Sequence, residues 1–400
     1  MVRTKVEVQN LKFGMYVAEL DRPWTETTFV FQGFVLKTDQ QLEALKRYCK
    51  FVYVDEERSE SGGESERRLP ATPLPGIRRV THAERVGPEV ELPKARDAFT
   101  SSVAVWQGTM GSFKAEGVID ATEVKGAVKR MTESMLRNPD ALVLFSTLEE
   151  RGGYFLTRAM NASIYMIMFA RFLGMEQTDI ELAGMVGLLQ DIAMVQVPQV
   201  MVERKGPLAP EEVAVVRSHV EKGIEILKAT PGLPPEVATL AAFHHERYDG
   251  SGYPRGVKGS ALGTIGAMTG IVDTYGAMTS ARPYADAITP SNALGMLHKW
   301  RGRAFHPLLI EEFIRAIGVF PVGSVVELNS GEVGIVISQN AAKRLQPRVM
   351  VVRDTAGNPL RPQKLLDLSR SPKLSAEETY RIRRTLEYGR SGVSIKDALS

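Results

Sequence analysis

The sequence predicts a mainly α protein: a bundle of helices preceded by a small α+β domain and followed by a short β-rich appendage. Three observations carry this prediction. From about residue 95 to 316, apolar residues recur at spacings of three and four, and prolines punctuate the segments. Residues 1–56 hold short β-branched and aromatic runs instead. Residues 317–370 return to such runs around a turn signal.

In residues 1–56, Lys5–Val8 alternates, Phe29–Phe31 is apolar and strand-like, and Phe51–Val54 makes a third strand. Between the last two lies a helix, Asp39 to Lys50, with Leu42, Leu45 and Tyr48 at helical spacing. Residues 57–94 read as a flexible linker, because Ser59–Arg68 is polar, charged and Gly/Ser-rich and Pro70, Pro73 and Pro75 follow. His82, within it, reads as solvated. In residues 95–316, Leu182, Met185, Leu189 and Ile192 mark one apolar helix face. Val213, Val216, Val220, Ile224 and Leu227 mark another, with His219 in mid-helix. In residues 317–370, Ser324–Leu328 and Val333–Ile337 flank Asn329-Ser330-Gly331, and Val349–Val352 is a third strand. Residues 371–400 read as a C-terminal polar amphipathic helix from Ala376 onward.

The bulk composition narrows the function. With 50 basic against 47 acidic residues the net charge is +3, so no broad basic surface points to a nucleic-acid polymer. A lone cysteine, Cys49, excludes an intrachain disulfide and a cysteine-built zinc site. The apolar run Ile164–Ala170, closed by Arg171, is far too short to span a bilayer, and the first residues do not form a signal peptide. A cytoplasmic protein without a membrane partner is expected.

The chemistry sits in the bundle. Asp191 follows an apolar run, His219 interrupts a helix, His244 and His245 end another, and Asp273 follows Gly270-Ile271-Val272. Ionisable groups beside a core are costly unless paired or bound to metal. Facing helices are a common way to assemble such a site. Either histidine or aspartate alone reads as an ordinary hydrogen-bonded residue. Two adjacent histidines running into Glu246 and the loop Asp249-Gly250-Ser251-Gly252-Tyr253-Pro254 point to a site, because the glycines allow positive φ and close backbone approach.

The run HHERYDGSGYP, followed by Val272-Asp273-Thr274-Tyr275 and Thr279–Tyr284, resembles the HD-GYP family. The resemblance extends to Gly14–Val17 in a small preceding domain and to Phe320–Gly334 in a β appendage. It implies an HD-type helical bundle. It also implies cleavage of cyclic di-GMP by two or three metal ions, commonly iron or manganese, and partners such as diguanylate cyclases or other HD-GYP proteins. Homodimerisation through the helical region is expected from the resemblance alone.

The family's ligand positions are only partly kept. Asp191, His219, His244, His245 and Asp273 match metal ligands, and Arg282 matches a phosphate-contacting arginine. Arg158 and Gln190 stand where the family has histidines, and Met194 where it has lysine. Glutamine offers one weak neutral oxygen, and a guanidinium offers no lone pair and repels a cation. The expected cofactor is therefore none, or a single divalent iron or manganese ion at partial occupancy. The preferred picture has Arg158 fill the vacated space and pair with Asp191 and Asp273. No intact catalytic residue is expected, Asp191 being the remnant of the HD pair. Arg158, Arg282, Gly252, Tyr253 and Pro254 are the expected contacts to cyclic di-GMP. Three functions stay open: a binding and regulatory protein without turnover, a phosphodiesterase with a reduced metal site, and a scaffold without nucleotide.

Overall fold

The computed structural model describes residues 3–22, 27, 34–36, 39–56, 80–148, 153–202, 204, 206–280, 287–340 and 343–386. The chain divides into two compact units, residues 1–74 with 342–345, and residues 75–341 with 346–400.

In the first unit, β1 (Arg3–Glu7), β2 (Tyr16–Leu20), β3 (Phe34–Val35) and β4 (Phe51–Asp55) form an antiparallel sheet in the order β1-β4-β2-β3. The helix α1 (Asp39–Tyr48) contributes Leu45 to a core with Val17, Leu36 and Val52. Strand β2 was not anticipated, since its pattern is broken by Glu19 and by a bulge against β4. The expected strand Phe29–Phe31 lies outside the described residues.

The second unit opens with α2 (Pro88–Glu116), so the segment expected to be linker is already helical from Pro88. Residues 80–87 are held by hydrogen bonds: Val80 N–H donates to the Gly174 carbonyl, Arg85 N–H to the Arg137 carbonyl, and Asn138 Nδ2 to the Val86 carbonyl. His82 is not simply solvated, because its Nε2 lies 2.7 Å from the Met175 carbonyl. Helix α3 (Ala121–Arg137) starts where the Asp120 carboxylate accepts from Thr122 N and Glu123 N, a side-chain cap. On α2, the buried Glu91 carboxylate accepts from Ser134 Oγ and from both Arg137 nitrogens that reach it, at 2.8–2.9 Å.

The centre is α5 (Tyr154–Phe172) against α6 (Gln177–Leu189). Leu182 and its periodic partners suggest a single apolar face, yet α6 is buried on nearly every side from Ile180 to Leu189. Glycines make the close approach possible. A Cβ on Gly187 would lie 2.6 Å from the Ala162 carbonyl oxygen, and one on Gly184 would lie 2.7 Å from Ile167 Cγ1. Because α5 carries Arg158 and α6 ends at Gln190-Asp191, this contact sets the spacing of the site.

Around this pair stand α4 (Pro139–Leu148), α7 (Gln199–Val202), α8 (Pro210–Arg217), α9 (His219–Ala229), α10 (Pro235–Ala241), α11 (Gly263–Thr279), α12 (Pro290–Lys299) and α13 (Pro307–Ile317). The apolar stripe from Val213 to Leu227 is not one helix. The run breaks at Ser218, and His219 is the first residue of α9 rather than a mid-helix residue.

The strands β5 (Val325–Leu328), β6 (Val333–Ser338), β7 (Arg348–Arg353), β8 (Pro359–Asp367) and β9 (Ile382–Thr385) form a second antiparallel sheet, ordered β8-β7-β6-β5-β9. Strand β9 corrects the expected C-terminal helix within its described part. Ile382 is buried in the sheet core, and Glu327 on β5 pairs with Arg383 and Arg384, so cross-strand pairing wins over the weak helical pattern. Residues 387–400 lie outside the described residues. Strand β8 contains Pro362 and lies at a sheet edge, where a missing N–H is tolerated. The sheet joins the helices through Asp140 of α4, whose Oδ2 accepts from Ser338 Oγ at 2.8 Å and Gln339 N at 3.0 Å. No helix among the described residues is long and apolar enough to cross a membrane.

Gly187→Ala is expected to cost a net of about 2 kcal/mol despite alanine's better helix propensity, since the added methyl meets backbone. Urea unfolding checks this, and wild-type stability would mean the helices separate freely. Burial pushes the Asp140 carboxyl up to about 6, against the bonds from Ser338 and Gln339, with Glu84 adding to the rise and Arg171 opposing it. The folded state therefore takes up a proton between about pH 4 and 6 that the unfolded state does not. Asp140's contribution is greatest below pH 4 and is lost as pH rises through 6, on the order of 3 kcal/mol in all. Asp140→Asn is expected to flatten the stability–pH curve over that window, measured by thermal melts of both proteins.

Candidate functional site

Each polar residue reaches the site from a different element. The end of α6 supplies Gln190 and Asp191, the first turn of α9 supplies His219, and the residues after α10 supply His244 and His245. Helix α11 supplies Asp273, and the first turns of α5 supply Arg158. Asp191, His219, His244 and His245 each present one ligand atom, all within 4.8 Å of one another.

The imidazoles are pre-oriented. His219 Nδ1 lies 2.6 Å from the Val216 carbonyl and His244 Nδ1 lies 2.5 Å from the Ala241 carbonyl. A carbonyl only accepts, so each Nδ1 carries a proton and each Nε2 is turned to the centre, where it can hold a cation by its lone pair or a proton shared with Asp191. The two Nε2 atoms face each other at 3.1 Å, and lie 3.4 and 3.6 Å from Asp191 Oδ1. Lone pairs converging at that distance require a proton or a cation between them. Burial lowers the basicity of His244, yet the Asp191 carboxylate outweighs it and leaves the ring's pKa raised. Burial and the charge on His244 hold His245 well below the usual histidine range.

Asp191 divides its two oxygens. Oδ1 faces the imidazoles, whereas Oδ2 accepts from Arg158 NH2 at 3.4 Å. The same NH2 donates a short bond to Asp273 Oδ1. Burial opposes charge on both Asp191 and Arg158. The bonds from His219 and His244, with the guanidinium beside them, hold the Asp191 carboxyl well below its ordinary range. Asp273 and Asp191 in turn push the Arg158 pKa up, so it stays a cation at every pH. The expected pairing of Arg158 with both aspartates is thus present in the geometry.

Gln190 is buried. Its Nε2 donates to Asp273 Oδ1 at 3.3 Å, while its Oε1 has no hydrogen-bond partner among the described residues. Such an acceptor costs about 1–3 kcal/mol. Asp273, expected among the metal ligands, stands outside the convergent set. Its Oδ1 is taken by Arg158 and Gln190, and its Oδ2 lies 3.6 Å from His245 Nδ1. Met194 lies in the 3₁₀ turn after Asp191, its N–H bonded to the Asp191 carbonyl.

The donor set tests the metal directly. Three imidazoles and one carboxylate, borderline ligands at convergent positions, fit a single divalent transition ion. On the Asp273 side a guanidinium already bonds both carboxylates and repels any further cation.

The loop that follows is folded onto the imidazoles. A Cβ on Gly252 would lie 2.4 Å from Arg247 N and 2.5 Å from the His245 carbonyl oxygen, so this glycine serves close approach. Positive φ is needed instead at Gly250, at 83°. Tyr253 N–H donates to the His245 carbonyl, and the Tyr253 ring stacks on His245 with centroids 4.7 Å apart and planes 28° apart. The Tyr253-Pro254 peptide is cis. Two residues prominent here had no assigned role in the sequence. Glu246 is buried and accepts from Arg255 N at 2.8 Å and Val257 N at 3.0 Å, tying the loop back to its stem. Arg217 lies over Tyr253, 4.7 Å from the ring centroid. Glu246 could have been singled out as an acid beside paired histidines; nothing in the sequence links Arg217 to Tyr253. Arg282 lies outside the described residues.

Family models match the chain in three stretches. Residues 143–309 match the HD domain family, residues 3–124 match a domain of unknown function, DUF3391, and residues 325–378 match a KOW domain associated with HD domains. The chain is 29% identical to the cyclic di-GMP phosphodiesterase PA4108 of Pseudomonas aeruginosa over 92% of this chain and 89% of that one. It is 34% identical to the cyclic di-GMP phosphodiesterase response regulator RpfG of Xanthomonas campestris over 37% of this chain and 39% of that protein. It is 30% identical to the 3'3'-cGAMP-specific phosphodiesterase 2 of Vibrio cholerae over 42% and 32% of the two chains.

Arg158→Met is expected to leave Asp191 and Asp273 facing each other without compensation, at a cost of about 3 kcal/mol in the presence of a chelator. It should also raise the manganese bound per chain above the wild-type value. Chemical unfolding and elemental analysis check the two outcomes; wild-type values in both would show that the guanidinium does not compete with an ion.

Proposed function

The chain belongs to the HD-GYP family, and on that premise we propose that it serves cyclic di-GMP signalling by binding the nucleotide, with hydrolysis lost or impaired. The observation that carries this reading is the Arg158 guanidinium bonded to both Asp191 and Asp273. In it, a permanent internal cation stands where two-metal chemistry needs a second ion. Asp191, His219, His244 and His245 would hold the one ion the donor set fits. When bound, such an ion lowers the pKa of a coordinated water and polarises a phosphoryl oxygen.

The remaining groups bind and orient. Tyr253, stacked on His245 and with Arg217 over its ring, can meet a bound nucleotide at its edge and hydroxyl. Gly252 lets the loop lie against the histidine backbone, and Pro254 follows as the loop turns toward the bonds that Glu246 accepts. Arg282 is the expected phosphate contact. Arg158, committed to two carboxylates, serves better as their counter-ion than as a substrate clamp. Met194, a thioether, steadies neither phosphate nor hydroxide. Protein partners in this reading are diguanylate cyclases or other HD-GYP proteins.

A second reading, a phosphodiesterase working with a reduced metal site, is favoured by the four convergent ligands. Elemental analysis with a turnover assay separates the two. Purified protein reconstituted with manganese or ferrous iron is expected to hold at most one ion per chain and to release no linear dinucleotide. Product formation would establish the enzyme. Restoring Arg158→His, Gln190→His and Met194→Lys together is expected to raise metal content well beyond what removal of the guanidinium alone achieves, while Gln190→His or Met194→Lys alone does little because Arg158 still bonds both carboxylates.

A further inference from the structure

Arg217 is an exposed arginine whose contacts are unusual for its position. It ends α8, two residues before His219. Among the described residues no carboxylate lies within 4.0 Å of its guanidinium and it donates no side-chain hydrogen bond; its recorded contact is with the Tyr253 ring, 4.7 Å away. An exposed arginine usually points into water with its rotamers free. Here it lies over an aromatic ring in a cation–π contact. Contact with a ring consumes none of the five N–H donors. They remain available to an oxyanion.

The ring it lies on is not incidental. Tyr253 stacks on His245, so Arg217, Tyr253 and His245 form a column that ends at the imidazole cluster. The column places a permanent positive charge one aromatic ring from the candidate centre. A cyclic dinucleotide carries two phosphodiesters. One small centre can serve only one of them, and the other needs a cation outside it.

Resting on the reading above, we propose that Arg217 is a ligand-binding residue, held by Tyr253 so that its guanidinium takes one phosphodiester of a cyclic dinucleotide bound at the imidazole cluster. Arginine suits this because its fork contacts two phosphate oxygens at once, whereas lysine presents a point charge.

The test is calorimetric titration of the full chain with cyclic di-GMP, paired with thermal melts. Arg217→Ala is expected to weaken binding at least tenfold, flatten the salt dependence of affinity and leave the melting temperature unchanged. Arg217→Lys should recover part of the loss. Tyr253→Ala should weaken binding too, and the double variant should be little weaker than Tyr253→Ala alone, because the ring acts partly by holding the guanidinium. Wild-type affinity in Arg217→Ala, or strict additivity in the double variant, would overturn the proposal while leaving nucleotide binding intact. A wild-type protein that takes up no cyclic di-GMP would instead remove the nucleotide reading and this proposal together.

Discussion

Two carboxylates held in a largely buried pocket repel one another unless positive charge lies between them. In this protein Asp191 and Asp273 meet that requirement internally, through one guanidinium nitrogen of Arg158. The rest of the pocket is arranged around the consequence. With Oδ2 of Asp191 committed to Arg158, only Oδ1 faces His219 and His244. With Oδ1 of Asp273 committed as well, His245 is left beside the other oxygen. The pocket is divided into an imidazole half that suits a cation and a guanidinium half that already contains one.

The division is only as firm as the spacing of α5 and α6, since Arg158 lies on one and Asp191 follows the other. That spacing rests on backbone contact at Gly187 and on side-chain contact at Gly184. Ser163 Oγ reinforces it by donating to the Gly184 carbonyl at 2.8 Å in a buried setting. A helix buried on almost all sides cannot rotate to relieve a poor contact at its end. Gln190 illustrates this, since its Oε1 remains without a partner among the described residues although Nε2 reaches Asp273.

Much of this was legible in the sequence, and the exceptions have physical causes. The periodicity of apolar residues exposed the helices, and paired histidines ahead of a glycine-rich loop exposed the site. The same periodicity concealed the break at Ser218, because Ser218 itself keeps helical φ and ψ between α8 and α9. It suggested a helix where β9 lies, because Ile382–Thr385 is short and polar and its strand identity comes from pairing with β5. In the site, Asp191, His219, His244 and His245 converge as the residue types suggested, and Arg158 meets both aspartates. The place of Arg217 was invisible, since only the fold brings the end of α8 to the Tyr253 ring.

The loop after the histidines is secured by its own stem. Glu246 accepts from Arg255 N and Val257 N, and Gly252 rests against the backbone of residues 245–247. None of these bonds involves Arg158, Gln190 or Met194. The loop's shape is therefore set by its own stem and does not depend on those three side chains. The HHERYDGSGYP run is for that reason a record of architecture, and the electrostatics of the pocket are written elsewhere, in Arg158 and the two aspartates it bonds.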